Sequence, residues 1–254
     1  MSDRPSPVPA AVRLAWWGTA WLRGHVVADH LMDAVVDQDA THVLTFDGSA
    51  AEPLLTGLGR LRSAGADALG AAVPAEGDPV GLGGPAAFNA AALEAGEAVV
   101  ALDAASFAVA GLVPNRVGAA VTWSVMDAER RQLPDVGEAD RALRSALMEA
   151  ADALAGLDVA RWRPEVADRL MNLRHRPRLA APPGVPPRCV ELAARGLQAL
   201  EIVELAREDD GGALTALEAA ARRDALLPLG RAGRRALVAA ASPEVWPPDS
   251  AASS

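Results

Sequence analysis

The chain has 254 residues, 51% of them apolar, which is enough to bury a substantial core and excludes disorder for its body. All basic residues are Arg, and the net charge of −9 is unevenly spread: 14 acids against 6 Arg up to Asp127, then 19 against 18. The acidic first half disfavours nucleic acid and anionic membranes as partners, and a single Cys excludes intramolecular disulfides and Cys-based zinc sites.

Residues 1–9 are rich in Pro and Ser and read as a mobile N-terminus. They carry no signal-peptide pattern, and no window holds about 18 uninterrupted apolar residues. The expectation is a cytoplasmic protein without a membrane partner. A helix is predicted from Ala10 to Arg23, with Leu14, Trp17 and Trp21 on one face and Trp16 and Ala20 beside them. Adjacent Trp side chains on a helix point about 100° apart, which makes Trp16 and Trp17 candidates for anchoring a partner. A second helix, Val26 to Val36, directs Val27, Leu31, Ala34 and Val35 inward. Asp29, Asp33 and Asp37 form a solvated acidic row on its other side.

An alternation of strand and helix follows. Residues 42–46 read as a strand ending at Asp47-Gly48. Ser49 and Glu52 have capping-box spacing for a helix to Ser63, with Pro53 in its first turn. Ala68 to Val73 is a second strand, Pro85 to Ala95 a helix closed by Gly96, and Glu97 to Leu102 a third strand. Two more strands, Phe107 to Val113 and Val117 to Val125, are predicted to meet at a turn over Pro114-Asn115-Arg116. Helical crossovers favour parallel pairing. The α/β region at 10–127 is therefore expected to hold a mixed, mostly parallel sheet of about five strands covered by helices.

The helical region, 128–241, continues the first or forms a separate domain. It opens with a helix from Glu138 to Leu157 that turns Ala139, Leu143, Leu147, Ala150 and Leu154 to one side. Pro164 to Leu173 is a shorter helix, and Pro177 to Pro187, with five prolines, a rigid linker. Arg188 to Arg207 is the next helix, and residues 214–241 form one that Pro228 must kink or break. Residues 242–254 read as a mobile tail. Cys189 lies at a helix start, a place that can lower a thiol pKa, although a buried inert thiol is the commoner case.

Three features could carry function. Residues 74–85 form a Gly- and Pro-rich loop between a strand and a helix, the edge at which α/β sheets bind ligands. Asp47, Asp78, Gly81, Gly83 and Gly84 are its candidate ligand-binding residues, for a phosphate- or carboxylate-bearing molecule. No P-loop, dinucleotide fingerprint or nucleophile elbow is present; His42, Glu76 and the remaining histidines complete no catalytic set, and no metal or cofactor is expected. Six Arg between Arg161 and Arg178 make a basic patch; Arg163, Arg174, Arg176 and Arg178 are candidate partner-binding residues. The third feature is the Trp-rich first helix. The stretches Ala15 to Leu22, Gly77 to Pro85 and Ala92 to Val99 resemble an uncharacterised, Ala-rich family of high-GC Gram-positive bacteria. That resemblance implies a cytoplasmic bacterial origin and no particular activity. The leading expectation is an interaction or scaffold protein, working through an unknown protein partner or self-association. The alternative is a small-molecule binder or enzyme using the loop from Glu76 to Pro85.

Overall fold

The computed structural model describes residues 8–47, 49–156, 179–208 and 216–247. In chain order these hold α1 (Ala10–Leu22), α2 (Ala28–Val36), β1 (Thr41–Phe46), β2 (Glu52–Pro53), α3 (Leu54–Ser63), β3 (Ala68–Ala72) and α4 (Ala86–Ala95). There follow β4 (Ala98–Leu102), β5 (Ala108–Val117), β6 (Ala120–Met126), α5 (Val136–Gly156), α6 (Pro187–Glu208), α7 (Ala216–Ala240) and a short 3₁₀ turn, Pro243–Val245. The fold is α/β, with one six-stranded sheet in the order β2-β1-β6-β5-β4-β3.

Among the described residues only β1 and β6 pair in parallel; every other strand pairing is antiparallel. The expected mostly parallel sheet of five strands is corrected on both counts. The parallel rule assumes that the helix makes the return journey between two strands. Here the Gly- and Pro-rich residues 73–85, which turn at Ala75–Asp78 and again at 79–82, carry the chain back before α4 begins, so β4 runs against β3. Such a stretch easily spans the roughly 17 Å of a five-residue strand. The sixth strand is β2, where Glu52 and Pro53 pair with Leu44 and Val43. Ser49 and Glu52 therefore form no capping box, and Pro53 is the N-cap of α3.

The turn expected at Pro114-Asn115-Arg116 is also corrected. These residues lie within β5, opposite Trp123, Thr122 and Val121, and residues 118–119 make the hairpin turn with Gly118 at φ +61°. A two-residue hairpin needs that left-handed backbone. Pro114 is tolerated because the pairing of β5 with β4 stops at Leu112, so its missing N–H falls on an open edge.

Helices α1 and α3 cover one face of the sheet together with the helical region, and α4 covers part of the other. Phe88 of α4 packs over Gly111 of β5, at a distance that leaves no room for a Cβ. A single apolar core cluster runs from Leu14 and Trp16 through Leu44, Leu112 and Trp123 to Leu143, Leu192 and Leu237. It is built from Leu, Val and Ala with few aromatics, as the composition requires. In α6 and α7 the backbones approach closely at Gly196 and Gly233. Helix α7 runs through Pro228 without ending; the carbonyl that loses its partner belongs to exposed Asp224, where water can serve it. Ser242 and Trp246, expected in the tail, are part of the fold: Ser242 is buried and the Trp246 indole donates to Ala240 O. The predicted helix at Pro164 to Leu173 lies outside the described residues.

The sheet edge at β3 is sealed rather than left to pair with another chain. The Thr19 hydroxyl bonds both the N–H and the carbonyl of Leu69 (2.9 and 3.0 Å). The Ala71 N–H donates to Ala241 O, and its carbonyl accepts from Arg131. The β3 edge thereby ties α1 and the end of α7 to the sheet.

Candidate functional site

The structure places the sequence-predicted residues in different roles. Asp78 is 4% exposed, and its Oδ2 accepts from Arg234 Nε and Nη2 at 3.1 and 3.0 Å, with Arg235 at 3.9 Å. Its carboxylate holds the Gly-rich loop to α7. Gly81, at φ +85°, lies so close to β3 that a Cβ would sit 2.7 Å from Ala72 Cα. A Cβ on Gly83 would meet the Arg130 carbonyl at 2.5 Å. The Gly84 N–H donates to Asn89 Oδ1, and its carbonyl accepts from Glu129 N. These glycines permit close packing within the chain, and the Gly84 amide is turned inward rather than towards a ligand.

Asp47 follows the carboxyl end of β1 and Asp78 that of β3, and these two strands run in opposite directions. The two residues therefore lie at opposite ends of the sheet as well as on different strands. Four inter-strand steps separate β1 from β3, or about 19 Å at the usual spacing. The structure does not bring Asp47 and Asp78 into one pocket.

His42 is fully buried at the start of β1. Its Nδ1 accepts from the Trp123 indole at 3.1 Å, and its Nε2 bonds Asp39 Oδ2 at 2.9 Å. With Trp123 as donor, Nδ1 carries no proton and the ring is neutral. Burial lowers its pKa against the pull of Asp39. Asp39 also accepts from Arg13 and Arg116. Burial tends to raise its pKa, but the bonds from Arg116 and His42 hold it below the ordinary carboxylate value. Both ring nitrogens are occupied, so this constellation joins α1, β1 and the β5–β6 hairpin and offers no free base. Glu97 likewise serves the fold, accepting the Ala11 N–H at the start of α1.

Cys189 is buried at the beginning of α6, and burial pushes its thiol up to about 11; the activating effect of a helix start does not prevail. Trp16 is 1% exposed and donates to Ala240 O at 3.0 Å, so it docks α1 against the end of α7. Trp17 is partly buried against the same core, and Trp21 lies beneath the Arg62 guanidinium. Val27, expected in the core, is 62% exposed at the N-cap of α2. Arg163, Arg174, Arg176 and Arg178 lie outside the described residues.

Two clefts open at the end of the sheet where β1, β4 and β6 finish. The first, of about 350 Å³, is bordered by Ser106, Arg130, Arg131 and Glu244. Arg131 is buried there, and burial lowers its pKa against the attraction of Glu244. Its Nε and Nη2 grip Glu244 at 3.0 and 2.8 Å, and its remaining donors reach Ala71 O, Gly81 O and the Ser242 hydroxyl. The guanidinium lies over Gly70, where a Cβ would be 1.7 Å from Nη2.

The second cleft, of about 300 Å³, lies between α3 and the carboxyl ends of the parallel neighbours β1 and β6. Asp47 and Asp127 follow directly on those strands and both line it. Both carboxylates are exposed to solvent, and neither has a partner among the described residues. Its apolar lining comes from Phe46 of β1, Leu61 of α3 and Ala64 at its C-cap, Val109 and Ala110 of β5, and Val125 and Met126 of β6, with Arg60 also facing it. Arg60 stacks 3.7 Å from the centre of the Phe46 ring and pairs with Glu52 at 2.5 Å. Sequence reasoning found Asp47 by its strand-end position and missed Asp127, which carries the same signal. Arg13, alone and charged in an apolar helix, was also visible; Arg131 and Arg234 carried no local sign.

Comparison with known proteins matches residues 11–139 to the N-terminal domain of the Rv1486c-like protein and residues 137–238 to its C-terminal domain. The chain belongs to the Rv1486c-like protein family. Neither the curated proteins nor the solved structures offer a match. The junction of the two family domains falls at the start of α5, where the Asp135 carboxylate caps the helix by accepting from the Gly137 and Glu138 N–H groups. Among the described residues no group of three or more His, Cys, Asp or Glu is placed to hold a metal ion, and no helix is long and apolar enough to cross a membrane.

Proposed function

We propose that the chain acts by binding another protein, or a second copy of itself, and not by catalysis. The observation that carries this reading is the engagement of its reactive groups in folding. Both nitrogens of His42 are bonded, the Cys189 thiol is buried, and the Asp78 carboxylate is clamped by Arg234. A general base or nucleophile needs a free atom within reach of substrate. What the fold turns outward is different in kind. The solvent side of α4 presents Ala86, Ala87, Ala90 and Leu93, with Glu94 as its one charge. The Arg-only basic complement fits a GC-rich bacterial genome, and a cytoplasmic location follows from the same reading.

Light scattering of the purified chain, with pull-down from its own cells, tests the proposal. An assembly or a stoichiometric partner is expected, and Leu93→Glu, at a position 39% exposed, weakens it while leaving the fold intact. A monomer that captures nothing at micromolar concentration sinks the idea.

A further inference from the structure

Helix α4 covers only half of its face of the sheet, and the open half has the shape of the helix that leaves it bare. Resting on the interaction reading above, we propose that the partner is a second copy of this chain. The two copies are related by a two-fold axis, and α4 of each lies on the open β6–β1–β2 strip of the other.

The strand register defines the strip. Phe88 and Ala92 of α4 join Ala68 of β3, Val100 of β4 and Val113 of β5 in one buried cluster. Past that cluster the same face continues outward. Asn115, Thr122, Val43 and Pro53 lie in one row across β5, β6, β1 and β2, and Ser124 and Thr45 lie side by side in the next. All six are exposed or half-buried, and none is charged. In a chain with 22% charged residues, a solvated sheet face would ordinarily carry some of them; absence of charge is instead the mark of an interface core. The solvent side of α4 is similar in kind, with small side chains centred on Ala90 and its one charge, Glu94, in the last turn, where hydroxyls of the strip can donate to it.

Shape and charge then select the occupant. Three strands make a strip about 14 Å wide, and a helix with its side chains is about 10–12 Å across. Helix α4, of 10 residues, is about 15 Å long, within the roughly 20 Å of β1 and β6. The step from α4 down to the strip is therefore its own complement, which a two-fold interface requires. Rotation about an axis through the step seats both helices side by side between two sheets. An acidic residue near that axis would meet its own copy, and the uncharged strip avoids this in a chain of net charge −9. About fifteen residues from the strip and the helix side bury roughly 1,000 Å² over both copies, the lower bound for a specific interface. The dimer is accordingly weak and concentration-dependent.

The test is sedimentation velocity of the full chain from about 1 to 500 µM. A monomer–dimer equilibrium with a dissociation constant of about 10–100 µM is expected. Thr122→Arg in the strip and Ala90→Glu on α4 each weaken it about tenfold or more, with little change in melting temperature, since neither side chain is buried. Thr45→Arg, one strand over, takes the place of Thr122→Arg if that variant melts early. Mixing the two variants one to one restores the dimer, because the introduced carboxylate of one copy meets the introduced guanidinium of the other. Three results overturn the proposal: a monomer at about 500 µM, a dimer indifferent to both substitutions, or variants that stay monomeric when mixed. A dimer indifferent to both, or a monomer that captures a stoichiometric partner of different sequence, leaves the interaction reading standing. A monomer that captures nothing removes both.

Discussion

Replacing Glu244 by Gln removes the charge that answers a guanidinium only 1% exposed. Breaking a buried pair from one side costs about 3–5 kcal/mol, because the surviving charge stays in a low-dielectric setting. The lower end applies here: Gln keeps an acceptor oxygen, Arg131 retains Ala71 O, Gly81 O and Ser242, and Glu244 is 13% exposed. About 3 kcal/mol corresponds to a fall in melting temperature of roughly 6–12 °C for a chain of this size. Thermal melts followed by circular dichroism, with urea titrations for the free energy, would measure it. The pair is isolated by a cycle with Arg131→Met, which deletes the charge but leaves Ala71 O without its donor. A coupling energy of about 2–3 kcal/mol is expected, the double variant losing less than the sum of the singles. Additive singles, or a Glu244→Gln melt within about 2 °C of the parent, would refute the reasoning and show that water reaches this guanidinium.

The remaining predictions test other contacts. His42 has a lowered pKa in the folded state, so below about pH 6.5 the unfolded chain takes up a proton that the folded chain resists. Stability then falls with acid, and His42→Gln should flatten the urea midpoint between roughly pH 7 and 5; an unchanged slope would show that another group titrates there. Gly233→Val pushes a side chain towards Gly196 O, 3.1 Å from its Cβ, and towards Leu200. It should cost about 1–3 kcal/mol in urea unfolding. Gly59→Ala, inside α3 with nothing within 4 Å of the new Cβ, should instead stabilise by up to about 1 kcal/mol; the opposite order of these two variants would discredit the helix packing described. Cys189, with its thiol pushed up to about 11, should resist alkylation until the chain unfolds, and rapid labelling of the native protein at neutral pH would contradict its burial.

How far the sequence revealed this fold depends on the range of the interaction. Strand and helix positions are set by side chains a few residues apart, and β1, β3, β4 and most helices stood where apolar spacing placed them. Partner choice between strands is a long-range property. Nothing local in Ala68–Ala72 distinguishes pairing with β4 in parallel from the antiparallel pairing found, because the decision rests on the path of residues 73–85. Pro114 misled for a related reason: a proline reads as a turn unless one knows that β4 ends before reaching it. Pro53 and Pro228 show the same dependence on surroundings, one pairing in a short strand and the other lying inside α7.

The sites follow the same division, and the polar residues show why. Asp78 looked like a ligand-binding carboxylate while its neighbours in sequence were all that could be seen; its partner, Arg234, is 156 residues away. His42 and Trp123 are 81 residues apart, and Arg131 and Glu244 are 113. In each case a group with chemical potential is neutralised by a partner that only the fold supplies. A charged residue in this chain therefore says little about function until its partner is known. Applied to the candidate residues, that criterion removes Asp78, His42, Arg131 and Glu244 as free groups.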